Sequence, residues 1–367
     1  MQENIKLTRE QVIFLTFLGV VGNIVYTHTW IDNFTDRAAW VAAFLGVFLL
    51  IPLAVWIFYL GKFYPRGTIF DILESGLGKI VSTGLRFIFI VINAAVAIAQ
   101  LNMFTQMLNV FFLPHTPAWV IMLVLTVMSV VFVNGGIQGF GRLAEILGIL
   151  GILNFFAAFI FAFPNFVHFD FIVPVFDTSL IGFIKGTVFV TGGTAECLLI
   201  LMIIVSYIPD PGKHYIWVVK GITLGAFIIS SAILIIIAIM SPELSKRIAF
   251  GGVNAARLIQ IGSFIQGLEI FILASYQFIA IGKITMSMYC AWLSGEKIIT
   301  GKKPFVQLVI MALVILIPSV WLTSYNKAYF LAVALGSYII LPFTLVVLML
   351  TSISVVIINK RAGSAAK

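Results

Sequence analysis

Thr191-Gly192-Gly193-Thr194-Ala195-Glu196 lies at the centre of an apolar segment, about 184–208, that otherwise reads as a membrane-spanning helix. Two adjacent glycines cost about 1 kcal/mol each against alanine inside a helix. A carboxylate at mid-span costs roughly 2.5–3.5 kcal/mol on insertion scales. The physical use of such a run is an unwound hinge that leaves backbone N–H and C=O groups free at membrane depth, where only protein or a watery cavity can satisfy them. The chemistry this permits is recognition: free N–H groups suit a carboxylate and free C=O groups an ammonium. Gly19-Val20-Val21-Gly22-Asn23 repeats the pattern inside the segment 12–29, so Gly22, Asn23, Thr191, Gly192, Gly193 and Thr194 are the candidate binding residues. Glu196, directly after the second break, has three readings: a latch within the hinge, a proton or cation coupling group, or a direct ligand contact.

The elements that must carry these runs follow from composition. The chain of 367 residues is 61% hydrophobic and 10% charged, with a mean hydropathy of +1.14, which defines an all-α integral membrane protein. The net charge of +8 does not signal nucleic acid, because the basic residues lie between apolar spans and not along one face. Cys197 and Cys290 fall in apolar segments, and His28, His115, His168 and His214 have no ligand spacing. Neither a disulfide nor a metal or other cofactor is expected. With no Ser/His/Asp or Cys/His set and no phosphate loop, the sequence does not read as an enzyme. The polar start Met1 to Gln11 runs straight into the first span, which predicts no cleavable signal.

Windows of about 20 apolar residues give ten expected spans, at 11–30, 38–60, 84–113, 118–134, 143–163, 184–208, 216–240, 266–293, 305–323 and 329–357. Of the 22 Lys and Arg residues, sixteen fall on the side of the termini and six on the other, which predicts both termini in the cytoplasm. The two interrupted spans are five apart. Because five is odd, the second set of five must run opposite to the first, which predicts a 5+5 inverted repeat, 1–163 and 184–357, within one transmembrane domain, followed by a basic tail at 358–367.

Between the second and third spans, Thr68 can cap a short interfacial helix with Ile69, Phe70, Ile72 and Leu73 on its apolar side, Asp71 and Glu74 on its polar side and Gly76 or Gly78 at its end. The third span carries Asn93, Gln100, Asn102, Gln106 and Asn109. Gln100, the deepest, is the one expected at the site, with Val96 one helical turn away. The segment 164–182 is long enough to form an external lid. Arg142 and Glu145 are expected to pair locally, Lys283 to snorkel toward the inner surface, and Glu269 to be wetted near the outer one.

Four stretches carry a family resemblance: Glu74-Ser-Gly-Leu-Gly-Lys79, Phe111-Phe-Leu-Pro-His-Thr-Pro117, Ala195-Glu196-Cys-Leu-Leu199 and Gly336-Ser-Tyr-Ile-Ile-Leu-Pro342. In this order they resemble the B subunits of spore germinant receptors, a family similar to the amino acid–polyamine–organocation permeases. The resemblance implies a LeuT-like bundle with a nutrient pocket between helices one, three, six and eight, a setting in the inner membrane of a bacterial spore, and A- and C-type subunits as partners. By position, Gly22, Asn23 and Ile24 correspond to the first unwound segment, Val96 and Gln100 to the facing wall, and Thr191 to Thr194 to the second unwound segment. Gln100 is a departure, standing where a close relative has an acid. The expected function is sensing of a small nutrient, an amino acid, that triggers germination. The alternative is active transport of the same ligand class.

Overall fold

Every regular element among the described residues, which are 6–64, 67–259, 269–298, 303–322 and 324–365 of the computed structural model, is helical. In chain order these are α1 (Arg9–Val21), α2 (Ile24–Thr35), α3 (Ala39–Phe48), α4 (Leu50–Gly61), α5 (Ile69–Leu77), α6 (Lys79–Phe111), α7 (Ala118–Asn134), α8 (Gly136–Phe166) and α9 (Leu180–Thr194). They continue as α10 (Glu196–Ile204), α11 (Pro211–Met240), α12 (Pro242–Ser245), α13 (Gly251–Leu258), α14 (Glu269–Glu296), α15 (Pro304–Trp321), α16 (Tyr325–Ala334) and α17 (Leu341–Ala365). Between α16 and α17 the chain widens into a π-turn, Leu335–Ile340. Pro342 supplies its cause: it has no N–H for the Tyr338 carbonyl four residues back, and its ring crowds that carbonyl.

Eight helical stretches among the described residues are long and apolar enough to cross a membrane. The difference from ten expected spans has local causes. The first expected span is split into pieces of 13 and 12 residues, and the fourth is α7, of 17 residues. The second joins α2 through the 3₁₀ turn Asp36–Ala38, giving one stretch from Thr27 to Gly61. Positions 266–268 of the eighth expected span and 366–367 of the basic tail lie outside the described residues.

The helix ends obey local chemistry. A capping box starts α1, in which the Thr8 hydroxyl accepts the Gln11 N–H and Gln11 accepts the Thr8 N–H at 3.1 Å. Thr68 caps α5 as expected from the sequence, its N–H and hydroxyl both donating to Asp71 Oδ2 at 2.8 and 2.9 Å, and of the two candidate glycines it is Gly78 that ends the helix, with φ +92°, a conformation only glycine adopts cheaply. Ile69, Phe70, Ile72 and Leu73 of α5 are fully buried against α6 and α17. α1 is apolar on all sides and correspondingly central, with Val12, Leu15, Leu18, Val20 and Val21 unexposed. By contrast α15 turns Val309, Leu313, Val314 and Ile317 outward, the surface a lipid solvent requires.

Polar clasps close the two ends of the bundle. At the α5 end, Asp71 takes the Arg86 guanidinium at 2.6 Å and the Lys297 ammonium. Burial alone would push the Asp71 carboxyl up. The Lys297 hydrogen bond, the charges of Arg86 and Lys297 and the Thr68 N–H outweigh burial and hold it below the ordinary carboxylate value. At the opposite end, the Ser245 hydroxyl donates to Asp32, the Lys246 ammonium pairs with Asp36, and the Gly251 N–H donates to His28 Nε2 at 3.1 Å. The segment 164–182 shares this end: Arg37 Nη1 donates to the Val173 carbonyl at 2.6 Å and pairs with Asp177 at 3.6 Å.

The expected Arg142–Glu145 pair does not form among the described residues; Glu145 instead accepts the Thr8 hydroxyl at 3.4 Å, across from the start of α1. Glu269 pairs with Arg257 at 3.7 Å and stays partly exposed.

Candidate functional site

Backbone geometry treats the two predicted breaks unequally. The first is a two-residue interruption: α1 stops at Val21 and α2 begins at Ile24, Gly22 keeps helical dihedrals with its N–H on the Leu18 carbonyl at 3.1 Å, and Asn23 turns away at φ −103°, ψ 5°. The second is much smaller than expected. α9 remains helical through Thr194, and only Ala195 interrupts it before α10. Its N–H reaches the Gly192 carbonyl at 3.1 Å, a tightened turn in place of an unwound stretch.

Packing explains why Thr191 to Thr194 stay helical despite their low propensity. The Thr191 hydroxyl donates to Gly46 and Thr187 carbonyls, both at 2.9 Å, and Thr194 donates to Val190 at 2.7 Å. Gly192 and Gly193 meet the π-turn: a Cβ on Gly192 would lie 2.8 Å from Ser337 Cα, and one on Gly336 would lie 2.8 Å from Gly193 Cα. These glycines let two backbones touch, and that contact outweighs the helix cost. A Cβ on Gly193, however, would meet nothing within 4 Å. That side of the glycine faces open space.

A single amide ties the breaks together. Asn23 is unexposed; its Nδ2 donates to the Gly193 carbonyl, and its Oδ1 accepts Gln100 Nε2 at 2.5 Å. Thus the first break, the end of α9 and the middle of α6 converge on one side chain. Of the amides on α6, Asn93 and Asn102 donate back to carbonyls of their own helix, whereas Gln100, the one expected at the site, donates to Asn23. Val96, one turn from Gln100, and Ile24, the first residue of α2, are buried beside this crossing.

Beneath it lies a charge pair that sequence reasoning only half saw. Glu196 opens α10, where a helix N-terminus favours a carboxylate. Its Oε2 sits 2.6 Å from Lys283 Nζ, with both side chains inside the protein. The same ammonium donates to the Gly19 carbonyl in the last turn of α1, at 2.9 Å. Lys283 therefore does not snorkel; it is 0% exposed. Its position at the middle of α14 turns it inward, and Glu196 supplies the opposite charge without which burial would cost several kcal/mol. Gly22 makes the passage: a Cβ there would fall 2.5 Å from Lys283 Cδ. A lone lysine in an otherwise apolar segment was the available signal for this residue. The π-turn was signalled by Pro342.

A separate apolar cavity lies on another side of the first broken helix, lined by Phe17, Ile24, Phe155, Ile228, Ile236 and Tyr276. It is distinct from the polar crossing, and Ile24, expected at the site, lines this cavity.

Sequence comparison gives the chain its family. Residues 6–328 match the family described as "Spore germination protein". "Putative spore germination protein YfkT" of Bacillus subtilis (strain 168) is 27% identical over 256 residues, covering 68% of each chain. "Spore germination protein YndE" of the same organism is 21% identical over 306 residues, covering 82% of each, and "Spore germination protein KB" is 24% identical over 323 residues, covering 85% of each. The chain is a multi-pass membrane protein that belongs to the spore germination protein family, of the permease-like, germinant-receptor B type.

Proposed function

We propose that this chain is the ligand-sensing membrane subunit of a germinant receptor, binding a small nutrient, most simply an amino acid, beside the breaks at Gly22–Asn23 and Thr191–Thr194. The observation that carries the reading is Asn23, whose side chain joins the first break, the Gly193 carbonyl and Gln100. A ligand that competes for any of these groups changes the relative position of three helices. Differential affinity for the two arrangements is what biases a partner. Gly22, Asn23, Ile24, Val96, Gln100, Thr191, Gly192, Gly193 and Thr194 are assigned to the pocket in this reading, and the open space beside Gly193 gives room for it.

The same reading takes the chain as ten spans in a 5+5 inverted repeat, 1–163 against 184–357, with both termini in the cytoplasm, in the spore inner membrane, beside A- and C-type subunits. The family membership and the sixteen-to-six charge bias support it. Active transport is the second reading, and one observation favours it: ionisable groups inside a membrane commonly mark ion or substrate pathways, and Glu196 and Lys283 are such groups.

Reconstituted protein separates the two. In liposomes with an imposed pH or sodium gradient and a mixture of radiolabelled L-amino acids, a sensor shows saturable binding without accumulation. Gradient-dependent uptake that disappears in Glu196→Gln would replace the sensor with a transporter.

A further inference from the structure

The Lys283 ammonium lies between two oxygens of different origin. One is the Gly19 carbonyl, 2.9 Å away in the last turn of α1; the other is Glu196 Oε2, 2.6 Å away at the start of α10. α1 ends at Val21 with the Gly22 N–H still on the Leu18 carbonyl, and the next carbonyl, that of Gly19, lies at the negative end of the helix dipole and takes its hydrogen bond from Lys283. A carbonyl at the end of a half-helix and a carboxylate are oxygens of the kinds that hold a small cation inside a membrane. A tethered cation already fills the place between them. The fit extends along the lysine arm, because a Cβ on Gly22 would come within 2.5, 2.9 and 2.9 Å of Lys283 Cδ, Cε and Cγ. Glycine at 22 is thus required by the lysine arm.

We propose that Lys283 is the resident cation of this site, a positioning residue whose ammonium occupies the place of a free alkali cation. It neutralises Glu196 and holds the end of α1 at a fixed distance from the start of α10, so the site needs no Na+ or other added cation. The claim about the cation stands on geometry alone. The corollary, that nutrient sensing is independent of Na+, rests on the sensor reading.

The experiment therefore has two arms. In the first, thermal unfolding of the purified protein is followed without nutrient, in chloride salts of Na+ or N-methyl-D-glucamine. The native midpoint does not change with the cation. Lys283→Ala lowers the midpoint, and propylammonium or Na+ raises it again, whereas uncharged propanol does not; Lys283→Ala/Glu196→Gln responds to none of them. A native midpoint that falls on removal of Na+ overturns the proposal. So does recovery of Lys283→Ala by propanol equal to that by propylammonium, since the lysine then only fills space. The native measurement needs no variant and decides the matter even if Lys283→Ala does not accumulate. In the second arm, spores carrying the native chain as their germinant receptor subunit are given an L-amino acid mixture in either salt, and germinate equally in both. Loss of germination in N-methyl-D-glucamine, with an unchanged midpoint in the first arm, overturns the corollary alone. Absence of a response in both salts, with the first arm as expected, removes the sensor reading and leaves the cation site standing.

Discussion

Gly192 and Gly193 are neighbours with the same cost to a helix, yet alanine at the two positions should act in opposite directions. A Cβ on Gly192 would lie 2.8 Å from Ser337 Cα and 2.9 Å from the Gly336 carbonyl oxygen. Both are backbone atoms, so no side-chain rotation relieves the contact, and overpacking of this kind costs about 1–3 kcal/mol. The gain in helix propensity, about 1 kcal/mol, offsets part of it. Gly192→Ala is therefore expected to be neutral to destabilising by about 2 kcal/mol. Gly193→Ala meets nothing within 4 Å and keeps only the propensity gain, so it should be more stable than native by up to about 1 kcal/mol. Gly193→Leu extends the test to function, because its side chain enters the open space assigned to the ligand. It should accumulate in spore membranes at native levels and abolish the germination response. Thermal unfolding of the purified variants, membrane abundance and spore germination are the three assays. The reasoning fails if Gly192→Ala is as stable as Gly193→Ala, or if Gly193→Leu accumulates normally and responds at the native nutrient concentration.

Two further expectations concern the ends of the bundle. Because Asp71 is held below its ordinary value, its pairing with Arg86 and Lys297 contributes stability that is present above the unfolded carboxylate value, about 3.9, and is lost only as pH falls through the lower folded one. The gap in unfolding midpoint between native protein and Asp71→Asn should stay level from neutral pH down to about pH 5 and close below about pH 4; a gap that has already closed at pH 5 contradicts the assignment. The orientation of the chain predicts that a cysteine replacing Asp177 is labelled by a membrane-impermeant maleimide from outside the cell, and one replacing Lys213 only after permeabilisation. The reverse pattern inverts the topology.

What could be read from the sequence was local. The cap at Thr68, a glycine end at Gly76 or Gly78 and the interruption at Gly22–Asn23 are each set by residues within a few positions of one another, and the fold contains all three, with Gly78 as the end. Gln100 was distinguishable from the other amides of α6 by depth alone. The exaggerated second break shows the limit of that logic: the cost of Gly192-Gly193 was correct, but the compensating contact comes from Gly336 and Ser337, far along the chain. Lys283 was misread for a similar reason. Which face of a long apolar helix points inward depends on how it packs, and the hydrophobic pattern of α14 is too uniform to say. The ties from Ser245 to Asp32 and from Lys246 to Asp36 span more than 200 residues and leave no pattern in either segment.

These long-range contacts give the first broken helix its particular mechanics. Its α1 half is held through the Gly19 carbonyl by Lys283, and its α2 half is clasped by Ser245, Lys246 and the Gly251 N–H. Between the helical halves themselves lie only Gly22 and Asn23, so a displacement of one half against the other is absorbed most easily at those two residues. Asn23 is also the residue whose amide reads the Gly193 carbonyl and Gln100. A ligand that breaks those two hydrogen bonds acts at the point where the anchored halves can change their angle, and glycine beside it keeps that change cheap in backbone energy. On the sensor reading proposed above, sensitivity resides less in the number of ligand contacts than in how firmly the two ends are held. Loosening either anchorage should therefore weaken the response even where no ligand touches the altered residue.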